Sequence, residues 1–391
     1  MAPDPRKDWD LVKVIGVEDS AAALRWMAGL SFRWPGDVVR RLRDAEGPPL
    51  MRIESRGQGL LLRTPPVGRL FHDSFLAQVR EAIAYTSRPL SSKLPFSYQR
   101  IPHQIRWMGA SAILRLRRLL KDESSFPCWP LDLTLDALAD LFLFCSGAPR
   151  PAEPQWVAVV LTHDIDTPES LANLPRFLKL EEALGMRSTS FIVPCGWPLD
   201  HGILGRMQDA GHEIGLHGYN HDNKTPYLPE KLIRERFDRC ADFISRYRVR
   251  GYRAPSLLRN ERLLRIIGER FAYDSSVPNA GAGYSSRSNG SASARPFRIS
   301  GVLEIPLTLP TDASLRFMGI PPRGALELWV GCTRAIVRSG GVAVLLTHCE
   351  ERYSGSRAML KAYRGFLETL TPKGLPATKT LADVAAAGGD A

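Results

Sequence analysis

The strongest constraint on the fold of this chain lies after residue 150. There, short unbroken apolar runs alternate with longer segments of helical periodicity. VAVVL within 157–162 and VAVLL within 342–347 are apolar at every position, as strands covered on both faces require. Further strands are expected at 189–193, 213–216 and 302–305. Helices are expected at 169–184, 229–247, 260–270, 324–338 and 357–370. Alternation of this kind calls for an α/β domain with a parallel sheet or barrel.

The chain has 391 residues, more than one domain usually holds, so two domains are expected. The segment 146–154, SGAPRPAEP, holds three prolines and no apolar period, and marks a boundary. It separates residues 1–150, a smaller basic α/β or α+β domain of unknown role, from 151–391. In the first part a strand is expected at 10–17, a short helix at 20–28 and helical spacing at 75–85. Stretch 95–121 interleaves Arg100, Arg106, Arg115, Arg117, Arg118 and Lys121 with apolar residues. Such a basic amphipathic pattern suits an anionic membrane surface, and equally a helix packed on its own domain with arginines reaching solvent.

Charge and composition narrow the class. The net charge of +11 is spread along the chain, and no nucleic-acid-binding module accompanies it, so a nucleic-acid partner is not expected. No apolar run is long enough to cross a bilayer, and the first residues lack the apolar core of a secretory signal. Six cysteines include no C-x-x-C pair, which fits reduced thiols. A cytoplasmic location is expected, with peripheral contact at the inner membrane face a further option through 95–121.

Four short motifs carry chemistry. Thr162-His163-Asp164-Ile165-Asp166 follows a buried strand, and residues two apart in extended chain point the same way, so Asp164 and Asp166 can converge. A turn-forming aspartate pair would look the same. His217 and His221, in GHEIGLHGYNH, are four apart, so one helical turn would bring both imidazoles to one side. With a carboxylate they make a zinc set with an open position, although two solvent-facing histidines share that spacing. His212-Glu213 does not have H-E-x-x-H spacing, so a zincin is excluded. Arg253, in Gly251-Tyr252-Arg253-Ala254-Pro255, is either an ordinary surface arginine or a bidentate partner for a carboxylate. His348 ends the strand LLTH and is either a hydrogen-bonded core histidine or a general acid. No G-x-S-x-G elbow and no phosphate loop is present, and Cys349 should face away from its neighbour His348.

In their order and joint occurrence, these motifs resemble the NodB-homology polysaccharide deacetylases of carbohydrate esterase family 4, in a D-x-D branch. The resemblance spans 156–385, and HEIGLHGYNH is its most specific part. It implies a distorted (β/α)7-type barrel. It assigns Asp164 as catalytic base, Asp166, His217 and His221 as metal ligands, Arg253 as the tether of the base and His348 as catalytic acid. Asp312 is the candidate support of His348, and Asp274, in YDSS, is expected to be structural. Two departures stand out. T-H-D-I-D replaces the common T-F-D-D-G, and no tryptophan occurs in 310–318 near Asp312.

The resemblance implies a divalent ion, Zn²⁺ with Co²⁺ or Ni²⁺ as alternatives, and an N-acetylated sugar as substrate. The expected function is removal of an N-acetyl group in polysaccharide or glycolipid biosynthesis, on a precursor that could be lipid-linked. Alternatives are a deformylase or other non-peptide amide hydrolase of the same fold, or an inactive carbohydrate-binding relative. The segment 281–295, rich in Gly, Ser and Asn, is expected to form a mobile loop or lid.

Overall fold

In this computed structural model the described residues are strands 10–15, 52–56 and 59–64, scattered positions between 76 and 139, and 156–387 apart from 282–288 and 372–374. The helix expected at 20–28 and the linker at 146–154 lie outside them, as does most of 95–121. Near the N-terminus, β1 (Asp10–Ile15), β2 (Arg52–Arg56) and β3 (Gly59–Thr64) form an antiparallel sheet in the order β1-β3-β2.

The main sheet is built from β4 (Ala158–Ile165), β5 (Ser188–Ile192), β6 (Glu213–Leu216), β7 (Gly251–Tyr252), β8 (Tyr273–Asp274), β9 (Phe297–Ile299), β10 (Val302–Glu304), β11 (Val342–His348) and β12 (Thr378–Lys379). Its order is β11-β4-β5-β6-β7-β8-β10-β9, with β12 beside β4. Every pairing is parallel except β10 with β9. The helices are α1 (Pro168–Glu182), α2 (His201–Asp209), α3 (Glu230–Asp238), α4 (Ala241–Tyr247), α5 (Glu261–Gly268), α6 (Asp312–Phe317), α7 (Pro322–Arg338), α8 (Arg357–Leu370) and α9 (Leu381–Ala387). This is the expected distorted (β/α) barrel. One helix was expected over 229–247; two form, because the chain turns at Arg239-Cys240.

Alternation along β4 explains why its apolar run is continuous. Ala158 and Val160 join Phe191, Tyr273, Val342 and Val344 in the barrel interior, which α9 closes with Leu381 and Val384. Val159, Leu161 and Ile165 pack outward, in one core with Phe177, Trp329 and Phe366 of the surrounding helices. By the same alternation Thr162 and Asp164 fall on the inner side while His163 faces out. β11 runs in register beside it, Val342 opposite Ala158 and His348 opposite Asp164.

The sheet does not pair β10 with β11. That seam is bridged by Thr308 and Leu309, whose N–H groups donate to Val344 O, and by Val342 N, which donates to Ala294 O (2.8 Å). Here the lid expectation for 281–295 fails in its second half. Ser291, Ala292, Ser293 and Ala294 are buried, because Asn279 and Asp136 satisfy their backbone groups. Asp136 accepts from Ser293 Oγ (2.5 Å) and Ala294 N (2.7 Å), Asp132 exchanges hydrogen bonds with Asn279, and Gly290 N donates to Ile83 O. Residues before 150 therefore pack directly on the barrel. Among the described residues no helix is long and apolar enough to cross a membrane.

Candidate active site

All seven site residues expected from the sequence lie around one end of the barrel, at or just beyond the C-terminal ends of the strands, where (β/α) barrels carry chemistry. Asp164 closes β4 on the inner face and is 2% exposed. Arg253, fully buried just past β7, donates from Nη1 to Asp164 Oδ1 (2.9 Å) and Thr162 Oγ1 (2.8 Å). Its Nε donates to Ser275 O and its Nη2 to Ser275 Oγ, and the guanidinium lies 4.2 Å from the centre of the Phe191 ring. The sequence suggested a bidentate grip on a carboxylate. Instead the fork is divided among three partners, because Thr162 and Ser275 flank it as closely as Asp164 does. A buried cation held this way keeps Asp164 in one orientation.

Asp166, one residue beyond β4, meets His217 and His221. His217 Nε2 lies 3.1 Å from Asp166 Oδ1, and His221 Nε2 lies 3.3 Å from Asp166 Oδ2. The two histidines are not on a helix, as the four-residue spacing suggested. His217 directly follows β6, Gly218 turns at φ +66°, and His221 sits at φ +55°. The turn also requires glycine for space, since a Cβ on Gly218 would come within 2.5 Å of Pro255. The left-handed His221 is the kind of backbone outlier that concentrates at functional sites.

This trio suits a divalent cation. The three side chains offer one ligand atom each, all within 4.8 Å of one another. His217 Nδ1 lies 2.9 Å from Arg253 O, a pure acceptor, so Nδ1 carries the proton and Nε2 has its lone pair free. Asp166 Oδ1 is buried without a hydrogen-bond partner. An unsatisfied buried carboxylate oxygen facing two imidazoles is the donor set that a borderline-soft ion such as zinc takes. Burial alone would raise the Asp166 carboxyl, but His221 and His217 hold it well below the usual range.

His348 faces the same point from β11, with Nε2 4.0 Å from Asp166 Oδ2. Its Nδ1 pairs with Asp312 Oδ1 (2.7 Å), and its backbone N–H donates to Asp312 Oδ2 (2.7 Å). Asp312 is 1% exposed at the start of α6 and also accepts from Ala313 N and Ser354 Oγ. Burial disfavours the imidazolium, but the Asp312 carboxylate outweighs it and raises the His348 pKa to about 10. The loop without a tryptophan of its own is supported from elsewhere, by Trp329 of α7, whose Nε1 donates to Pro310 O (2.8 Å). Cys349 faces the outer core, away from His348. Asp274 is buried and accepts from Ser276 Oγ (2.7 Å), and burial raises its carboxyl above the usual range.

Sequence reasoning left His163 without a partner. It is buried outside the barrel, with Nδ1 2.8 Å from Thr347 Oγ1 and Nε2 2.8 Å from Glu181 Oε1, to which Tyr363 also donates. An unusual polar residue at an outward position of a buried strand was the available signal.

Two solved structures have similar folds. A Mycobacterium smegmatis protein assigned to the polysaccharide deacetylases aligns with TM-score 0.50 at 20% identity, over 61% of this chain and 92% of that one. PuuE allantoinase aligns with TM-score 0.51 at 18% identity, over 62% and 94%. No curated protein matches the sequence. Residues 153–270, which carry Asp164, Asp166, His217, His221 and Arg253, match the family model for polysaccharide deacetylase.

Proposed function

We propose that the chain is a metal-dependent hydrolase that removes the N-acetyl group from an amino sugar in a polysaccharide or glycolipid precursor. The observation that carries this reading is the meeting of three functions at one point. Asp164 Oδ2 lies 3.6 Å from His217 Nε2, and His348 Nε2 lies 4.0 Å from Asp166 Oδ2. The candidate base, acid and ligand set thus meet at one end of the barrel.

Asp166, His217 and His221 would hold the divalent ion, Zn²⁺ by donor chemistry, with Co²⁺ or Ni²⁺ as alternatives. Such an ion supplies Lewis acidity, polarising the amide carbonyl and making water a better nucleophile at neutral pH. Asp164 takes the proton of the attacking water, and Arg253 keeps that carboxylate aimed. His348, held as imidazolium by Asp312, gives its proton to the departing nitrogen. Acetate and a free amine result.

A lipid-linked sugar is the form of substrate that the basic stretch 95–121 would serve, by resting on anionic lipid headgroups. Ile105 and Met108 within it are exposed, at 59% and 64%.

The test is elemental analysis of the purified protein with His217→Ala as control, followed by acetate release from N-acetylated sugars. About one divalent ion per chain, lost in the variant, together with acetate release, is expected. Turnover of N-formyl sugars or cyclic amides instead would keep the mechanism and change the substrate. No metal after incubation with excess zinc would make the chain an inactive sugar-binding relative.

A further inference from the structure

Glu350 lies two residues beyond His348 and belongs to none of the sequence motifs. Its side chain is fully buried, at 0% exposed. Oε1 accepts from Thr167 Oγ1 (3.0 Å) and from Arg352 Nη2 (3.4 Å), and Oε2 is buried without a hydrogen-bond partner. A carboxylate buried and half satisfied costs stability, so its retention calls for a task.

Thr167 supplies one. It directly follows Asp166, and as the cap of α1 its Oγ1 accepts from Ser170 N (3.2 Å). By donating to Glu350 and accepting from Ser170, the hydroxyl is fixed in both of its roles. The bridge does not stand alone. Glu351 N donates to Glu169 Oε1 (2.9 Å), and Arg176 pairs with Glu351 (2.8 Å). The loop that carries His348 is thus bonded to the start of the helix that follows Asp166. The Glu350 carboxyl is raised by burial and next by the Asp166 charge, which places the two groups within each other's field.

We propose that Glu350 is a positioning residue which, through the Thr167 hydroxyl, fixes Asp166 and so sets the affinity of the Asp166–His217–His221 set for its divalent ion. This rests on the metal reading above. Partners one step removed from a metal ligand commonly govern affinity by about 10–100-fold.

The experiment is competition for Zn²⁺ against a chromophoric chelator, on the full chain, for wild type, Glu350→Ala, Glu350→Gln, Thr167→Val and Thr167→Ser. Gln keeps an acceptor oxygen and Ser keeps the hydroxyl, so both should bind within about threefold of wild type. Ala at 350 and Val at 167 should each weaken binding about 10–100-fold. The double variant Glu350→Ala/Thr167→Val should be no weaker than the worse single one, because both remove the same bond. If Glu350→Ala fails to fold by circular dichroism, Thr167→Val, which removes the same hydrogen bond from a half-buried position, decides. Wild-type affinity in Glu350→Ala or in Thr167→Val, or a loss in Glu350→Gln equal to that in Glu350→Ala, overturns the proposal. A wild-type protein that binds no zinc overturns the metal reading, and this inference with it.

Discussion

Asp164 and His348 stand opposite each other in register at the ends of two paired parallel strands, β4 and β11. The candidate base and acid therefore sit at one level of the barrel, and the sheet itself sets their separation. Asp164 is fixed from below by Arg253, and His348 from the side by Asp312. Each can be disturbed without removing a ligand from the Asp166 set.

Asp164→Asn tests the base directly. The amide cannot take a proton, but it occupies the same space beside Arg253. Metal content should be unchanged, and acetate release should fall by about 10²–10⁴. Full activity with full metal would exclude Asp164 as the base.

Asp312→Asn tests the support of the acid. The His348 pKa is raised to about 10, with burial opposing and Asp312 outweighing it. A raised histidine contributes stability that is complete below its ordinary pKa of about 6.5 and is lost as pH rises through about 10. The variant should lose that contribution at neutral pH. The alkaline limb of its kcat/KM profile should also move to lower pH, because less of His348 remains protonated. Superimposable pH–rate profiles for the two proteins would refute the pairing.

His163→Phe puts at this place the phenylalanine of the T-F-D-D-G motif and leaves Glu181 Oε1 buried without its hydrogen bond to His163. Leaving a buried polar group without its hydrogen bond costs about 1–3 kcal/mol. His163→Phe/Glu181→Leu should recover part of that loss, since no uncompensated carboxylate remains. Urea denaturation of the two variants is the measurement. A single variant as stable as wild type would show that the His163–Glu181 bond adds nothing to stability.

Deletion of residues 1–139 removes Asp132 and Asp136. Asn279, Ser293 and Ala294 N would each lose a hydrogen bond in a buried setting. Each unsatisfied group costs about 1–3 kcal/mol. The shortened protein should melt well below the full chain or fail to stay soluble. Equal melting temperatures would separate the two parts of the chain energetically.

Much of the barrel was legible because two-faced burial leaves runs such as VAVVL that no surface element would carry. The three side chains of the candidate ligand set were legible for a similar reason, since Asp166, His217 and His221 lie on two short motifs. The geometry joining those motifs was not. Spacing placed His217 and His221 on a helical turn, whereas Gly218 and the left-handed His221 bring them together on a loop. Glu350 and Thr167 could not be linked, since 183 residues separate them and nothing local marks either. The break at Arg239-Cys240 was hidden as well, because both residues are compatible with a continuing helix. Burial of 291–294 escaped notice because small polar residues look like loop until the partners at Asn279 and Asp136 are known.

The tie from Asp136 to Ser293 and Ala294, and from Ala294 on to Val342, bears on the order in which the chain can assemble. The early segment meets its partner 157 residues later, and the seam it supports is completed only by a strand near the end of the sequence. A ribosome-bound chain cannot close this barrel until β11 has emerged. Contacts of such separation make folding slow and leave strand edges exposed meanwhile. The last long strand thus supplies His348 and the closing edge at the same moment.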